Sequence, residues 1–312
     1  MNNKEKYKGI VVPAVTPLTA DLKLDYGAME KMFNHFNKNG VMPFINGTTG
    51  ESTSLPFSLK KEYITAACKI KSPGDVLYAG ISSNCLEESV KLAKIGFDAG
   101  VDAVAATLPS YYNLSDYQMI RYFEQLAQQS PGPVIIYNIP VTTRMSIPLA
   151  VIDELSYHEN IIGTKDSERS DERLKESLKL WSGREDFCHF LGWAPKSAEA
   201  LMHGSDGLIP STGNLCPHIY AEMYKAVKSG DNERAFRFQK LSDVMGDVYQ
   251  KARLLGESLW ALKVCMYELE LCQEYVMPPL YPLADEEKHK ILKNLRHAME
   301  KENLMIKTDT NV

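Results

Sequence analysis

A lysine stands at the end of an apolar run in the sequence IIGTKDS, residues 161–167. In water a lysine has a pKa of about 10.4, so nearly all of it is protonated at neutral pH and cannot act as a nucleophile. Burial disfavours the charged form and lowers that pKa. A neutral amine can attack a ketone, and the protonated imine that forms then accepts electrons from a neighbouring bond. Lys165 therefore predicts Schiff-base chemistry on a keto substrate.

Hydroxyl groups make up most of the other reactive side chains that follow apolar runs. They belong to Thr48, Thr49, Tyr111, Tyr112, Tyr137 and Ser211. Few carboxylates accompany them, which disfavours glycoside hydrolysis, a reaction that uses two. The seven histidines form no HxH or HExxH pattern, and the six cysteines form no CxxC pair, so we expect neither a metal site nor a disulfide framework. One amine among phenols favours imine formation with general acid–base assistance.

Eight short apolar runs, each bounded by glycine, proline or polar residues, are typical of strands that are buried on both faces. They cover residues 9–18, 42–48, 75–82, 102–109, 133–140, 161–167, 187–193 and 206–212. Segments with helical periodicity, such as residues 25–39, lie between them. Eight strand–helix repeats in about 230 residues predict an α/β fold, a parallel (β/α)8 TIM barrel, rather than an open doubly wound sheet. Because barrel active sites lie at the C-terminal ends of the strands, the amine and the hydroxyls should meet there.

The pattern changes after residue 230, where three helical segments follow one another without a strand. They cover residues 231–256, 257–271 and 284–303. We therefore expect a barrel catalytic domain over residues 1–229 and a C-terminal helical extension over residues 230–312.

Bulk composition restricts the partners and the compartment. The net charge is -5 and no block of lysine and arginine occurs, so nucleic acid is not expected as a partner. The N-terminal stretch has no long apolar segment, which predicts neither a signal peptide nor a membrane span. Scattered, unpaired cysteines fit reduced thiols and a cytoplasmic location.

Four motifs, in a fixed order and at characteristic separations, resemble the dihydrodipicolinate synthase / N-acetylneuraminate lyase family. They are GTTGES (47–52), PSYYN (109–113), YNIP (137–140) and GTKDS (163–167). The resemblance covers nearly the whole chain. It implies a (β/α)8 barrel, a class I mechanism with pyruvate as the donor substrate and no metal or organic cofactor. It also implies a homo-oligomer, usually a tetramer built as a dimer of dimers.

The resemblance assigns roles to individual residues of this sequence. Lys165 matches the lysine that forms the imine, and Tyr137 matches the tyrosine that moves protons at the substrate. Thr48 matches the hydroxyl that relays protons from Tyr137 to a second tyrosine. Thr49, with backbone N–H groups of its loop such as that of Gly47, matches the site for the substrate carboxylate.

The second tyrosine of the relay comes from the neighbouring subunit in this family. Counting from Pro109, with Ser115 as the downstream anchor, assigns it to Tyr111 rather than Tyr112. An active site of this kind requires at least a dimer.

The acceptor end of the site departs from two known patterns of the family. Dihydrodipicolinate synthases usually carry an arginine five residues after the tyrosine, but Thr142 stands there, and Arg144 lies two residues further on. Losing that arginine would forfeit a bidentate carboxylate contact. Sialic acid lyases usually have two acidic residues where this chain has Ala194 and Pro195.

The remaining resemblance is to the 2-keto-3-deoxy sugar-acid aldolases. We therefore expect cleavage of such an acid to pyruvate and an aldehyde. The residues expected to bind the substrate are Gly47, Thr49, Thr142, Ser167, Ile209 and Ser211. Dihydrodipicolinate synthase and N-acetylneuraminate lyase activities remain alternatives, and a non-catalytic barrel that binds keto acids is a remote one.

Overall fold

The computed structural model describes residues 4–72, 74–302 and 304. Its strands are all parallel and close into a barrel in chain order, with the first strand paired to the eighth. The strands are β1 (Gly9–Pro13), β2 (Met42–Ile45), β3 (Tyr78–Gly80), β4 (Ala103–Thr107), β5 (Val134–Asn138), β6 (Ile161–Asp166), β7 (Cys188–Leu191) and β8 (Gly207–Leu208). The predicted (β/α)8 TIM barrel is confirmed.

Helices follow the strands as the sequence periodicity predicted. They are α1 (Tyr26–Lys38), α2 (Phe57–Ile70), α3 (Leu86–Ala99), α4 (Asp116–Gln129), α5 (Pro140–Thr143), α6 (Leu149–Leu155), α7 (Asp171–Trp181), α8 (Ser197–Met202), α9 (Pro217–Lys228), α10 (Asn232–Gln250), α11 (Leu255–Glu268) and α12 (Asp285–Lys301). Short 3-10 helices occur at Lys4–Tyr7, Ala194–Lys196 and Ser211–Asn214. Side-chain caps fix several starts: Asp25 accepts from Ala28 N, and Ser115 forms a capping box with Gln118.

All eight strands are shorter than the sequence predicted, chiefly at their C-terminal ends. The apolar run at residues 9–18 shows why. Val15 is fully buried but lies beyond β1, and its backbone bonds to the side chains of Asn214 and Tyr63 instead of to a neighbouring strand. The apolar composition therefore continues into loops that are themselves buried, and periodicity alone does not separate the two.

The C-terminal helix α10 packs on α8 and α9 of the barrel, and α11 and α12 pack on α10 and on each other. No strand follows β8 in the described ranges. In α11, residues 258–266 are all buried, as expected of a helix that is apolar around its whole circumference. One hydrophobic cluster contains both Val12 of β1 and Leu262 of α11. The three predicted helical segments are confirmed, except that residue 303 lies outside the described ranges. The division into domains at residue 229 stays a prediction.

A β-bulge in β6 sets the direction of Lys165. Val134 of β5 pairs with Ile161, but the next residue, Ile135, pairs with Gly163, so β6 carries one extra residue. Since side chains alternate along a strand, that extra residue reverses which face each later residue occupies. The shifted register pairs Lys165 with Tyr137.

No helix in the described part of the chain has the length and apolar character that crossing a membrane requires.

Candidate active site

The amine of Lys165 lies near the C-terminal end of β6. The residue is 3% exposed, and Nζ is 3.9 Å from the centre of the Tyr137 ring and 5.0 Å from that of Phe44. No carboxylate among the described residues forms an ion pair with it. Burial lowers the pKa of Lys165, and the contact with Tyr137 opposes only part of that shift. The amine is therefore closer to its neutral, nucleophilic form than a lysine in water.

A phenol and a hydroxyl stand next to this amine. Tyr137 is the partner of Lys165 in the pairing of β5 with β6. Its hydroxyl lies 3.3 Å from Oγ1 of Thr48, and either oxygen can donate the hydrogen bond. Because each group both donates and accepts, the pair can pass a proton along. The structure thus brings together three of the four residues that the sequence predicted as catalytic.

The loop after β2 holds Thr48 and Thr49 in a compact turn. Glu51 N donates to Thr48 O at 3.0 Å, and Ser52 N donates to Gly47 O at 3.3 Å. Thr49 is buried. Its hydroxyl and the backbone N–H groups of the loop are donors of the kind that a substrate carboxylate needs.

A cavity of about 190 Å³ opens beside Tyr137 and Phe44. Most of its polar lining consists of hydroxyl groups. They belong to Thr48, Ser52, Thr53, Ser54, Ser82, Thr107, Tyr137 and Thr142. Lys165 is not part of this lining, but its amine lies against the two rings that are.

The C-terminal extension supplies an apolar part of the cavity lining. Leu255 and Leu259 of α11 line it together with Leu280. Glu51 is the one charged side chain among its described lining residues, and none is basic. The cavity therefore combines hydroxyls on the barrel side with an apolar surface on the extension side.

The predicted substrate-binding residues occupy different surroundings. Thr142 lines the cavity, although its hydroxyl also donates to Ile139 O at 3.1 Å. Gly47 lines it as well, whereas Ile209 belongs to the apolar cluster inside the barrel. Neither Ile209 nor Ser167 is among the lining residues.

The hydroxyl of Ser211 is bound by the C-terminal extension. Its Oγ lies 2.7 Å from the hydroxyl of Tyr249 in α10, and Gln250 also donates to that tyrosine hydroxyl at 2.7 Å. Ser211 is not a lining residue of the cavity. It therefore has a structural partner, and its contact with a substrate stays a prediction.

The loop after β4 presents two tyrosines to the surface of the single chain. Tyr111 is 79% exposed and Tyr112 is 74% exposed, with their rings edge to face at 5.0 Å. Neither lines the cavity. Arg144 is exposed too, at the left-handed C-cap of α5, and it is not a lining residue either.

Asp166, directly after the lysine, is held in a hydrogen-bond network that the sequence did not reveal. Its carboxylate accepts from Arg173 Nε at 2.7 Å and from Asn138 Nδ2 at 3.2 Å. Burial raises the pKa of Asp166, and the Arg173 charge opposes that shift. Arg173 also donates to Ile147 O at 2.8 Å, which ties β6 to the loop after β5. An aspartate alone carries no sequence signal for this network.

The sequence also did not predict that Leu255, Leu259 and Leu280 line the cavity. Helix α11 is apolar on every face, so its pattern does not show which face meets the cavity. A possible signal is Lys263, a single charge within the apolar stretch SLWALKVCM. Over the described residues, no three side chains of histidine, cysteine, aspartate or glutamate cluster in a way that could hold a metal ion.

Comparison with known proteins identifies the family. Residues 6–298 match the Dihydrodipicolinate synthetase family. An uncharacterized DapA-like lyase of Pyrococcus furiosus is 30% identical over 302 residues, which cover 95% of this chain and 100% of the relative.

Two solved structures are similar over nearly their full length. Dihydrodipicolinate synthase from Bacteroides thetaiotaomicron has a TM-score of 0.88 at 31% identity and covers 93% of this chain and 98% of its own. YagE, a prophage protein of Escherichia coli K12 from the dihydrodipicolinic acid synthase family, was solved in complex with pyruvate. Its TM-score is 0.89 at 26% identity, with 96% of this chain and 99% of its own covered. The chain therefore belongs to the dihydrodipicolinate synthetase family and is an aldolase-type lyase.

Proposed function

We propose that the protein is a class I aldolase that forms a Schiff base between Lys165 and pyruvate or a pyruvate-containing keto acid. The observation that carries the proposal is a buried lysine that pairs with no carboxylate among the described residues and lies next to a hydrogen-bonded tyrosine and threonine. The lowered pKa of Lys165 supports nucleophilic attack. The pyruvate complex of YagE, a structure of similar fold, supports the choice of keto acid.

The proposed cleavage uses the amine first and the hydroxyls second. Thr49 and the amides of its loop hold the substrate carboxylate while Lys165 attacks the keto carbon and water is lost. Tyr137 then removes the proton from the C4 hydroxyl, and the C3–C4 bond breaks as its electrons move into the protonated imine. The aldehyde leaves, the resulting enamine is protonated at C3, and water releases pyruvate and the free amine. Neither a metal nor an organic cofactor takes part.

The proposed proton relay runs through Thr48 to Tyr111 of a second copy of the chain. The large exposure of Tyr111 supports this, because a phenol that serves its own cavity would be buried there. The active form is then a homo-oligomer, which we propose to be a tetramer arranged as a dimer of dimers. A cytoplasmic location belongs to the same proposal.

The acceptor lining favours a 2-keto-3-deoxy sugar acid as substrate. Its hydroxyls, among them that of Thr142, can exchange hydrogen bonds with a polyol aldehyde. A second carboxylate, as in the synthase reaction with aspartate semialdehyde, would find no basic side chain in the described lining. Sialic acid would lack acidic partners at Ala194 and Pro195. Ser167, Ile209 and Ser211 complete the proposed substrate-binding set.

Borohydride reduction in the presence of pyruvate tests the mechanism. We expect a single reduced adduct, and digestion followed by mass spectrometry should place it on Lys165. No adduct, or an adduct on another lysine, would refute the Schiff-base proposal.

A substrate panel tests the acceptor. It compares pyruvate release from 2-keto-3-deoxy-gluconate, sialic acid and 4-hydroxy-2-oxoglutarate with condensation of pyruvate and aspartate semialdehyde. We expect the highest kcat/KM for 2-keto-3-deoxy-gluconate. Fastest turnover of aspartate semialdehyde would favour the synthase instead, and adduct formation without turnover of any aldehyde would favour a non-catalytic keto-acid binder.

A further inference from the structure

A buried ion pair ties the loop of Thr48 to the C-terminal helices. Glu51 Oε1 lies 2.5 Å from Lys263 Nζ, and both side chains are fully buried. The other carboxylate oxygen, Oε2, accepts from Met277 N at 2.7 Å, and Lys263 Nζ donates to Tyr275 O at 2.6 Å. The two charges thus join the loop after β2, helix α11 and the segment that follows it.

Glu51 is directly linked to the threonine of the proposed relay. Its N–H donates to Thr48 O at 3.0 Å. Its φ of 59° lies in the left-handed region, which side chains other than those of glycine and asparagine rarely adopt. Such a backbone persists only where its surroundings fix it, and the buried carboxylate provides that fixation. A shift of the Glu51 side chain would therefore be passed to Thr48.

Lys263 lies on the same helix as the leucines that line the cavity. Leu255, Leu259 and Lys263 are spaced four residues apart on α11, so they share one face of the helix. Both leucines line the cavity, and Glu51 lines it as well. The ion pair thus connects the loop that carries the Thr48 hydroxyl to the helix that carries the two leucines.

Stability alone is a weak reason for such a pair. Removing two charges from water is costly, and well-packed apolar residues in the same place often stabilise a protein as much or more. A buried pair does fix one geometry, because any other arrangement leaves a charge without its partner.

We propose that Glu51 and Lys263 are positioning residues that hold the Thr48 hydroxyl at Tyr137 and seat α11 against the cavity. The inference rests on the proposed Schiff-base function. Catalysis that depends on a 3.3 Å contact between two hydroxyls is sensitive to displacement, since about 1 Å of misplacement can cost roughly 100-fold in rate.

The main test is Lys263→Met in the full-length protein. We expect kcat for keto-acid cleavage, and the rate of deuterium exchange at C3 of pyruvate, to fall about 10- to 100-fold. Borohydride should still trap pyruvate on Lys165 to the wild-type extent at saturating pyruvate, because Lys165 lies on β6 and the ion pair acts on the loop after β2. A lowered thermal midpoint with kcat and exchange within about twofold of wild type would overturn the proposal.

The chain offers a control at the other end of the barrel, a second buried pair of a lysine and a carboxylate. Lys4 Nζ lies 2.9 Å from Asp206 Oδ1, with both side chains buried, and it also donates to Arg184 O. Asp206 accepts from His189 N at 2.9 Å, just as Glu51 accepts from Met277 N. Lys4→Met should therefore lower the thermal midpoint but leave kcat and exchange near wild type. An equal kinetic loss in both variants would also overturn the proposal.

If Lys263→Met does not fold, a second variant, Glu51→Gln, tests the positioning role. Glu51→Gln keeps the size of the side chain and an acceptor for one of its two partners. We expect the same loss of kcat with retained trapping, and the double variant Glu51→Gln/Lys263→Met should be no slower than the slower single variant. Multiplicative losses would contradict a shared role. Failure of the wild-type protein to form the Lys165 adduct would instead refute the proposed function itself.

Discussion

Lysines stand at both ends of the barrel, and their surroundings differ. At the N-terminal ends of the strands each has a carboxylate: Lys4 pairs with Asp206 at 2.9 Å, and Lys6 and Lys71 both pair with Asp102 at 2.7 Å. At the C-terminal end Lys165 is buried against aromatic rings, and no described carboxylate pairs with it.

The pKa values of Lys6 and Lys165 shift in opposite directions, and each shift follows from the surroundings of the amine. A hydrogen bond from Lys6 to Asp102 raises the pKa of Lys6, whereas burial lowers the pKa of Lys165. At the N-terminal end the carboxylate of Asp102 therefore favours the ammonium form of Lys6. At the C-terminal end burial favours the free amine of Lys165, which is the form that can react.

Lys165→Met should produce the largest change. Without the amine no imine forms, and turnover should fall by roughly 10⁴- to 10⁶-fold, as expected when a covalent nucleophile is removed. Steady-state kinetics on the preferred keto acid and borohydride trapping measure both effects. Lys71→Met at the N-terminal end is the matched control and should keep wild-type kcat. Residual turnover above one hundredth of wild type in Lys165→Met would remove the amine from the mechanism.

Tyr137→Phe should give the second largest change. Loss of a general acid–base group costs about 10²- to 10⁴-fold, while imine formation on Lys165 should partly survive. Thr48→Val should act in the same direction but less strongly, because the phenol remains in place. Unchanged turnover in Tyr137→Phe would exclude the phenol from proton transfer.

Comparison of Tyr111→Phe with Tyr112→Phe tests the relay that enters from a second chain. We expect Tyr111→Phe to lower kcat by about 10- to 100-fold, toward the weak end of acid–base losses, and Tyr112→Phe to change it little. Since the relay requires a partner, specific activity should also fall on dilution below the dimer dissociation constant. A larger loss in Tyr112→Phe would transfer the role to that residue.

The sequence predicted those features that depend on residues close together in the chain. All eight strands, the three C-terminal helical segments and the barrel were predicted, because buried strands are apolar throughout and helices repeat every 3.6 residues. Lys165 and Tyr137 could be found because their motifs lie at strand ends. The family also follows from those motifs.

Contacts between distant parts of the chain could not be predicted in the same way. The bulge at Ile162 sets the facing of Lys165, yet IIGTKDS alone does not reveal it. The bond from Ser211 to Tyr249 depends on how α10 packs, and the Glu51–Lys263 pair joins positions more than two hundred residues apart in sequence. No periodicity marks such pairs, because each depends on the completed fold.

A smaller expected effect is that of Lys165 on the stability of the folded protein. The folded-state pKa of Lys165 is lowered, so at neutral pH the unfolded chain binds this proton more readily than the folded one, and burial of the lysine costs stability. Lys165→Met should therefore raise the thermal midpoint by a few degrees, since each kcal/mol shifts the midpoint of a protein of about 150–250 residues by about 2–4 °C and that of a longer chain by less. The gain should shrink as pH rises toward about 10.4, where the unfolded lysine loses its proton too. A midpoint below wild type at pH 7 would contradict this.

The smallest expected effect is at the opposite end, in Lys6→Gln. The raised folded-state pKa of Lys6 means that its pair with Asp102 is fully stabilising below the unfolded value near 10.4 and is lost as pH rises through the folded value. The side chain is 45% exposed, so solvent screening limits its contribution to about 0–1 kcal/mol. Lys71 pairs with the same carboxylate at the same distance but is 19% exposed, and Lys71→Gln should lower the thermal midpoint more. Equal losses at pH 7 would show that burial does not set the strength of these pairs.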